Sequence, residues 1–160
     1  MWFIVYEFEV LSAIGVRCCA DVASACATQS CNGKHEAEDA TLGMPPMPIT
    51  HGDTNSASGT GYVQFFGTGS ESITFNLNAC TVGNHHLIFT YSFTGASQVV
   101  MTLKINGRTV DATTQFHATG GWDYWGTHTV TASLVAGDNT ITLEAPTGGP
   151  DLDYLEIRAI

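Results

Sequence analysis

From about Lys34 onward, apolar and polar residues alternate with a period of two. Ile73, Phe75 and Leu77 are interleaved with Thr74 and Asn76; Leu87, Phe89, Tyr91 and Phe93 follow, then Val99, Met101, Leu103 and Ile105. Val130, Ala132 and Leu134 form a further run, Ile141, Leu143 and Ala145 another, and Leu152–Ile157 closes the series. Successive side chains of a strand point to opposite faces, so each run predicts a strand with one buried face. Asn106-Gly107 predicts a two-residue hairpin, because both central positions of a type I′ turn need positive φ. Gly137-Asp138-Asn139 predicts a second turn. About eight strands at ~8–12-residue spacing, with no helical period, indicate an all-β sandwich or jelly roll.

Residues 1–33 differ from this pattern. Met1–Val16 is apolar, and Ala23-Ser24-Ala25 has the small residues of a signal-peptide cleavage site. Yet no Lys or Arg opens the segment, Glu7 and Glu9 interrupt it, and Arg17 and Asp21 precede the cut. The alternation of Phe3 and Val5, then Phe8 and Val10, reads equally as a strand from a preceding domain. Both readings stand: residues 1–33 are a cysteine-rich leader or a domain remnant, and 34–160 are the sandwich domain.

Composition narrows the function classes. A chain of 160 residues with 44% hydrophobic content fits one domain with a real core. Fifteen Asp and Glu face five Lys and Arg, for a formal charge of −10. The five cations (Arg17, Lys34, Lys104, Arg108 and Arg158) are scattered, so the basic footprint of a nucleic-acid binder is missing. No apolar run approaches the ~18 residues of a membrane span, which argues against insertion. Cys18, Cys19, Cys26 and Cys31 crowd the leader and Cys80 stands apart, without zinc-ligand spacing. Disulfides in a secreted or cell-surface protein are the expected use. The six histidines form no metal or triad motif, and no nucleophile elbow or phosphate loop occurs.

Several segments carry candidate chemistry: Glu36-Ala37-Glu38-Asp39-Ala40, Ala57-Ser58-Gly59-Thr60-Gly61-Tyr62-Val63, Gly120-Gly121-Trp122-Asp123-Tyr124-Trp125-Gly126, Leu134-Val135-Ala136-Gly137-Asp138-Asn139-Thr140-Ile141, and Gly149-Pro150-Asp151-Leu152-Asp153-Tyr154-Leu155-Glu156. In this order they resemble carbohydrate-binding modules of families 6 and 35, over residues 35–157. The resemblance implies a jelly-roll β-sandwich of two antiparallel sheets. It also implies a structural calcium where the first and last strands meet, and a sugar site in the loops at one end.

On a strand, Glu36 and Glu38 share a face that cannot be apolar core, which reads from spacing alone as a solvated acidic edge. The resemblance implies instead that they pair with Asp153, which would put three carboxylates around one point, unstable by like-charge repulsion unless a cation such as Ca2+ sits there. Trp122, Tyr124 and Trp125 lie among glycines, an arrangement suited to stacking on the C–H face of a sugar. The resemblance implies Trp122 as the platform, with Tyr62 facing it across the ligand; rings packed under the loop and a Tyr62 in the core are the competing readings, and Trp125, which opens the strand toward Val130, packs or binds. Asp151 stands where many relatives carry Asn, exchanging a donor and acceptor for an acceptor. The candidate ligand residues are thus Tyr62, Trp122, Trp125 and Asp151, and the candidate metal ligands Glu36, Glu38 and Asp153.

The leading expectation is a non-catalytic, calcium-stabilised module that targets an attached enzyme or surface protein to a polysaccharide or oligosaccharide. An adhesion or cell-wall lectin-like domain is the alternative. A small glycosidase using Asp151, Asp153 or Glu156 is the third, disfavoured because Asp151 and Asp153 share a strand face and one is claimed by calcium.

Overall fold

The computed structural model describes residues 33–43, 49–51, 57–65 and 71–160, with the backbone alone at 49–51. The strands are β1 Lys34–Glu36, β2 Thr41–Leu42, β3 Ile49–His51, β4 Gly61–Val63, β5 Glu71–Ala79, β6 Gly83–Ser92, β7 Gln98–Ile105, β8 Arg108–His117, β9 Gly126–Leu134, β10 Gly137–Ala145 and β11 Asp151–Ala159. One 3-10 turn, Ala37–Asp39, follows β1. All strand pairs are antiparallel. One sheet runs β3-β4-β11-β6-β9, with β1 also pairing to β11, and the other runs β2-β5-β10-β7-β8. Two antiparallel sheets enclosing one core make a jelly-roll sandwich, as the alternation predicts.

The core lies where the period of two points it. Ile73 and Phe75 on β5, Leu87 and Phe89 on β6, Met101 and Leu103 on β7, and Ile141 and Leu143 on β10 are all buried. Burying each such side chain contributes about 1.5–3 kcal/mol, so the two inner faces dominate stability. The hairpin at Asn106-Gly107 forms as expected, with φ of 50° and 77° and Ile105 paired to Arg108.

Three local features depart from the expectations. Gly137-Asp138-Asn139 opens β10, and the turn lies just before it. Asn139, 2% exposed at an inward position, ties that turn: its Oδ1 accepts from Val135 N at 3.1 Å and its Nδ2 donates to the carbonyls of Val135 and Gly137. Glu38 sits in the 3-10 turn and not on a strand with Glu36.

The third departure is in β11. Leu152 pairs with Tyr91 and Tyr154 with Thr90, leaving Asp153 as an extra, bulged residue. The bulge resets the alternation, so that Leu152 and Leu155, three apart, both enter the core. Asp151 and Asp153 therefore do not follow one strand period, contrary to the expectation that they share a face.

Cys80 is disulfide-bonded. The other cysteines and the leader lie outside the described residues.

Candidate functional site

At one end of the six-stranded sheet, β4, β11, β6 and the approach to β9 present their ends together. Val63 is in the core, so alternation turns its neighbour Tyr62 to the outer face; Tyr91 likewise places Thr90 and Ser92 outward. Trp125 precedes Gly126, which pairs with Tyr91, and so extends the same outer strip. With β11 and β6 between them, β4 and β9 stand roughly 14 Å apart at a strand spacing of ~4.8 Å. Yet the rings of Tyr62 and Trp125 meet edge to face, 5.7 Å between centroids and 66° between planes. The two side chains must reach toward each other across β11 and β6.

What lies along that strip is polar and enclosed. Thr90, Ser92 and Asp151 are 6%, 0% and 3% exposed although they belong to the outer face. Asp151 and Ser92 are cross-strand partners. Thr90 Oγ1, Ser92 Oγ, Asp151 Oδ1 and Trp125 Nε1 are all buried without a hydrogen-bond partner. Native proteins rarely leave such groups unmet, and each costs about 1–3 kcal/mol. Burial pushes the Asp151 carboxyl up to about 6, against a hydrogen bond from the Gln64 side chain that pulls it down.

Tyr62 is itself 8% exposed, held in the ring contact with Trp125. The ring facing Tyr62 is thus that of Trp125. Trp122 stands instead against Phe93, 6.5 Å between centroids at 80°, and remains 47% exposed. Trp125 also shares its parity with Thr127, Thr129 and Thr131, the exposed positions of β9, which aligns it with the outer face. Thr90, Ser92 and Gln64 join this candidate strip and are missed by the sequence reading; locating them requires the β4–β11–β6 register.

The acidic residues adjoin this strip through the loop that leads into Tyr62. Glu36 Oε2 lies 2.6 Å and Asp153 Oδ1 2.9 Å from the same Ser58 hydroxyl. One hydroxyl has one proton and cannot donate to both. Ser58 N also donates to Asp153 Oδ1 at 2.9 Å, and Lys34 Nζ reaches Glu36 Oε1 at 3.1 Å. Glu38 Oε1 accepts from the amides of Thr60 and Gly61 at 2.6 and 3.1 Å, while its Oε2 is buried with no partner.

The three carboxylates are thereby brought to one loop, although among the described residues no group of three His, Cys, Asp or Glu forms a ready metal cage. Gly59 sits between the two glutamates: a Cβ there would meet Glu38 Oε1 at 2.3 Å and Glu36 Cδ at 3.0 Å. Burial raises the Asp153 pKa, the Ser58 bonds oppose that, and the nearby Glu36 charge adds to it. Two carboxylates converging on one hydroxyl, beside an unmet carboxylate oxygen, fit a hard cation that prefers oxygen ligands.

A jelly-roll sandwich of two antiparallel sheets, with an aromatic pair and unmet buried polar groups at one sheet end, is an arrangement suited to a carbohydrate-binding module. The chain belongs to family 35 of these modules, whose sequence pattern it matches over residues 33–160. It superposes on a family 35 carbohydrate-binding module from Clostridium thermocellum with a TM-score of 0.74 and 28% identity, over 81% of this chain and 98% of that one. It is 27% identical to an exo-beta-D-glucosaminidase of Amycolatopsis orientalis over 77% of this chain and 12% of that protein. It is 30% identical to a cycloisomaltooligosaccharide glucanotransferase of Niallia circulans over 66% of this chain and 11% of that protein. The chain thus spans only about a ninth to an eighth of the length of these two enzymes.

Proposed function

We propose that this module binds a sugar by parting Tyr62 and Trp125, so that the sugar ring stacks between them and its hydroxyls meet Thr90, Ser92, Asp151 and Trp125 Nε1. The observation that carries this reading is the cluster of four unmet buried polar atoms beside an aromatic pair. Separating an edge-to-face pair costs about 0.5–1.5 kcal/mol. Satisfying each unmet group returns about 1–3 kcal/mol, so a hydroxyl-rich ligand gains more than it spends.

The module acts without catalysis on this reading. Asp153 is engaged by Ser58, and Glu156 is paired with Arg158 at 2.7 and 2.9 Å, so two of the three candidate acids are already committed. Its role is to hold an attached enzyme or surface protein at a polysaccharide outside the cell, raising effective concentration. The disulfide at Cys80 supports an oxidising compartment. Calcium, held by Glu36, Glu38 and Asp153, would brace the loop that carries Tyr62.

A panel of isomalto-, glucosamine-, xylo-, galacto-, manno- and uronic-acid-bearing oligosaccharides tests the binding site. Tryptophan fluorescence should shift on binding, and Tyr62→Ala and Trp125→Ala should each weaken affinity at least about tenfold. Sugar binding that survives both substitutions would place the site elsewhere.

A further inference from the structure

The loop between β8 and β9 carries Trp125 at its inner end and two more aromatic residues farther out. Tyr124 is 66% exposed and Trp122 47% exposed. Neither rests on a floppy segment. Thr119 N donates to Phe93 O at 2.8 Å, Phe93 N donates to Thr119 Oγ1 at 3.0 Å, and Tyr124 N closes a turn onto Gly121 O at 3.2 Å.

Two glycines make room for the rings. A Cβ at Gly121 would meet Tyr124 Cδ2 at 2.7 Å, and one at Gly95 would meet Phe93 Cζ at 2.1 Å. Tyr124 thus lies on bare backbone, and Phe93, seated on Gly95, backs Trp122 edge-on. Exposed rings held on a braced loop are costly surface for a protein with no ligand there, because ordering them earns no core burial.

We propose that Trp122 and Tyr124 form an outer aromatic subsite that takes the next units of a glycan chain whose first unit occupies the Tyr62–Trp125 site. The occupant follows from continuity: Trp125, Tyr124 and Trp122 belong to one short loop, so a chain extending from the inner pair along that loop would meet their rings. Aromatic faces suit successive sugar rings, and nothing in the loop except Asp123 carries charge. The module then reads a stretch of chain and not a single terminal sugar. This inference rests on the inner site proposed above.

The test compares the dimer and hexamer of each oligosaccharide series in the panel, titrated calorimetrically into the full chain. Wild type should bind the hexamer at least about tenfold more tightly than the dimer. In Tyr124→Ala and in Trp122→Ala the hexamer-to-dimer ratio should collapse toward one. Gly121→Ala, which adds only a methyl group beneath Tyr124, should also reduce the ratio; it guards against misfolding of the Trp122 variant. A ratio near one in wild type, or a ratio unchanged in Tyr124→Ala and Gly121→Ala, overturns the outer subsite and leaves the inner site standing. A wild type that binds no member of the panel overturns the inner site and this inference together.

Discussion

Asp151 shows how a single side chain is written in the sequence and how its state is not. Its identity, an acid at a position where the family resemblance leads one to expect an amide, is legible at once. Its burial is not, because that depends on β6 setting Ser92 beside it and on β4 pairing with β11, which brings the Gln64 side chain to its carboxyl. The enclosed carboxyl titrates near 6, above the ordinary 3.8. A raised folded-state value means that the folded protein holds the proton more tightly than the unfolded chain. The associated stability is full below about pH 4 and is lost as pH rises through about 6. Asp151→Asn removes the ionisation. In chelator, the variant should therefore gain on wild type as pH rises from 4 to 7, measured by urea denaturation at each pH. A difference between the two proteins that stays constant across that range would show that Asp151 does not ionise in an enclosed site. The tryptophans give a similar lesson: an aromatic cluster is visible in the sequence, but which ring meets Tyr62 is decided by where β9 begins.

Among elements, the long strands are legible because each carries its own alternation, and the Asn106-Gly107 hairpin because its turn chemistry is local. The short strands β1 to β4 are not, since two or three residues establish no period. The bulge at Asp153 leaves a trace, two core leucines an odd number of residues apart, but only the β6 partner shows which residue is extra. The Ser58–Gly61 loop depends on a position that sequence marks only as flexible. Gly59 has φ of +61° and stands against both Glu36 and Glu38. Gly59→Ala should cost about 1–3 kcal/mol, from the left-handed backbone and from pushing the glutamates off their partners. Equilibrium denaturation reads this as a lower midpoint with an unchanged slope. A midpoint equal to that of wild type would mean that the loop and the two acids are not packed against one another.

For the molecule as a whole, the acidic loop and the overall charge make competing accounts of any cation effect. A chain with formal charge −10 gains from any divalent ion that screens its self-repulsion, wherever that ion sits. A site at Glu36, Glu38 and Asp153 gains only from an ion that fits it. Calcium accepts irregular sets of six to eight oxygens, whereas magnesium demands near-ideal octahedral geometry and sheds water reluctantly. At a hundredfold excess over Kd, a ligand of the folded state adds about 2.7 kcal/mol. For a domain of this size that raises Tm by roughly 5–10 °C. Calcium should therefore shift the melt by that amount relative to chelator, and magnesium by much less. Glu38→Gln keeps the loop amides bonded through its carbonyl oxygen while removing one charge, and it should lose most of the calcium shift. If magnesium matches calcium, or if the shift persists in full in Glu38→Gln, the stabilisation is general screening and the three carboxylates hold no ion. If calcium alone acts and the variant is blind to it, the cation braces the loop leading into Tyr62, and chelation should weaken sugar binding along with the fold.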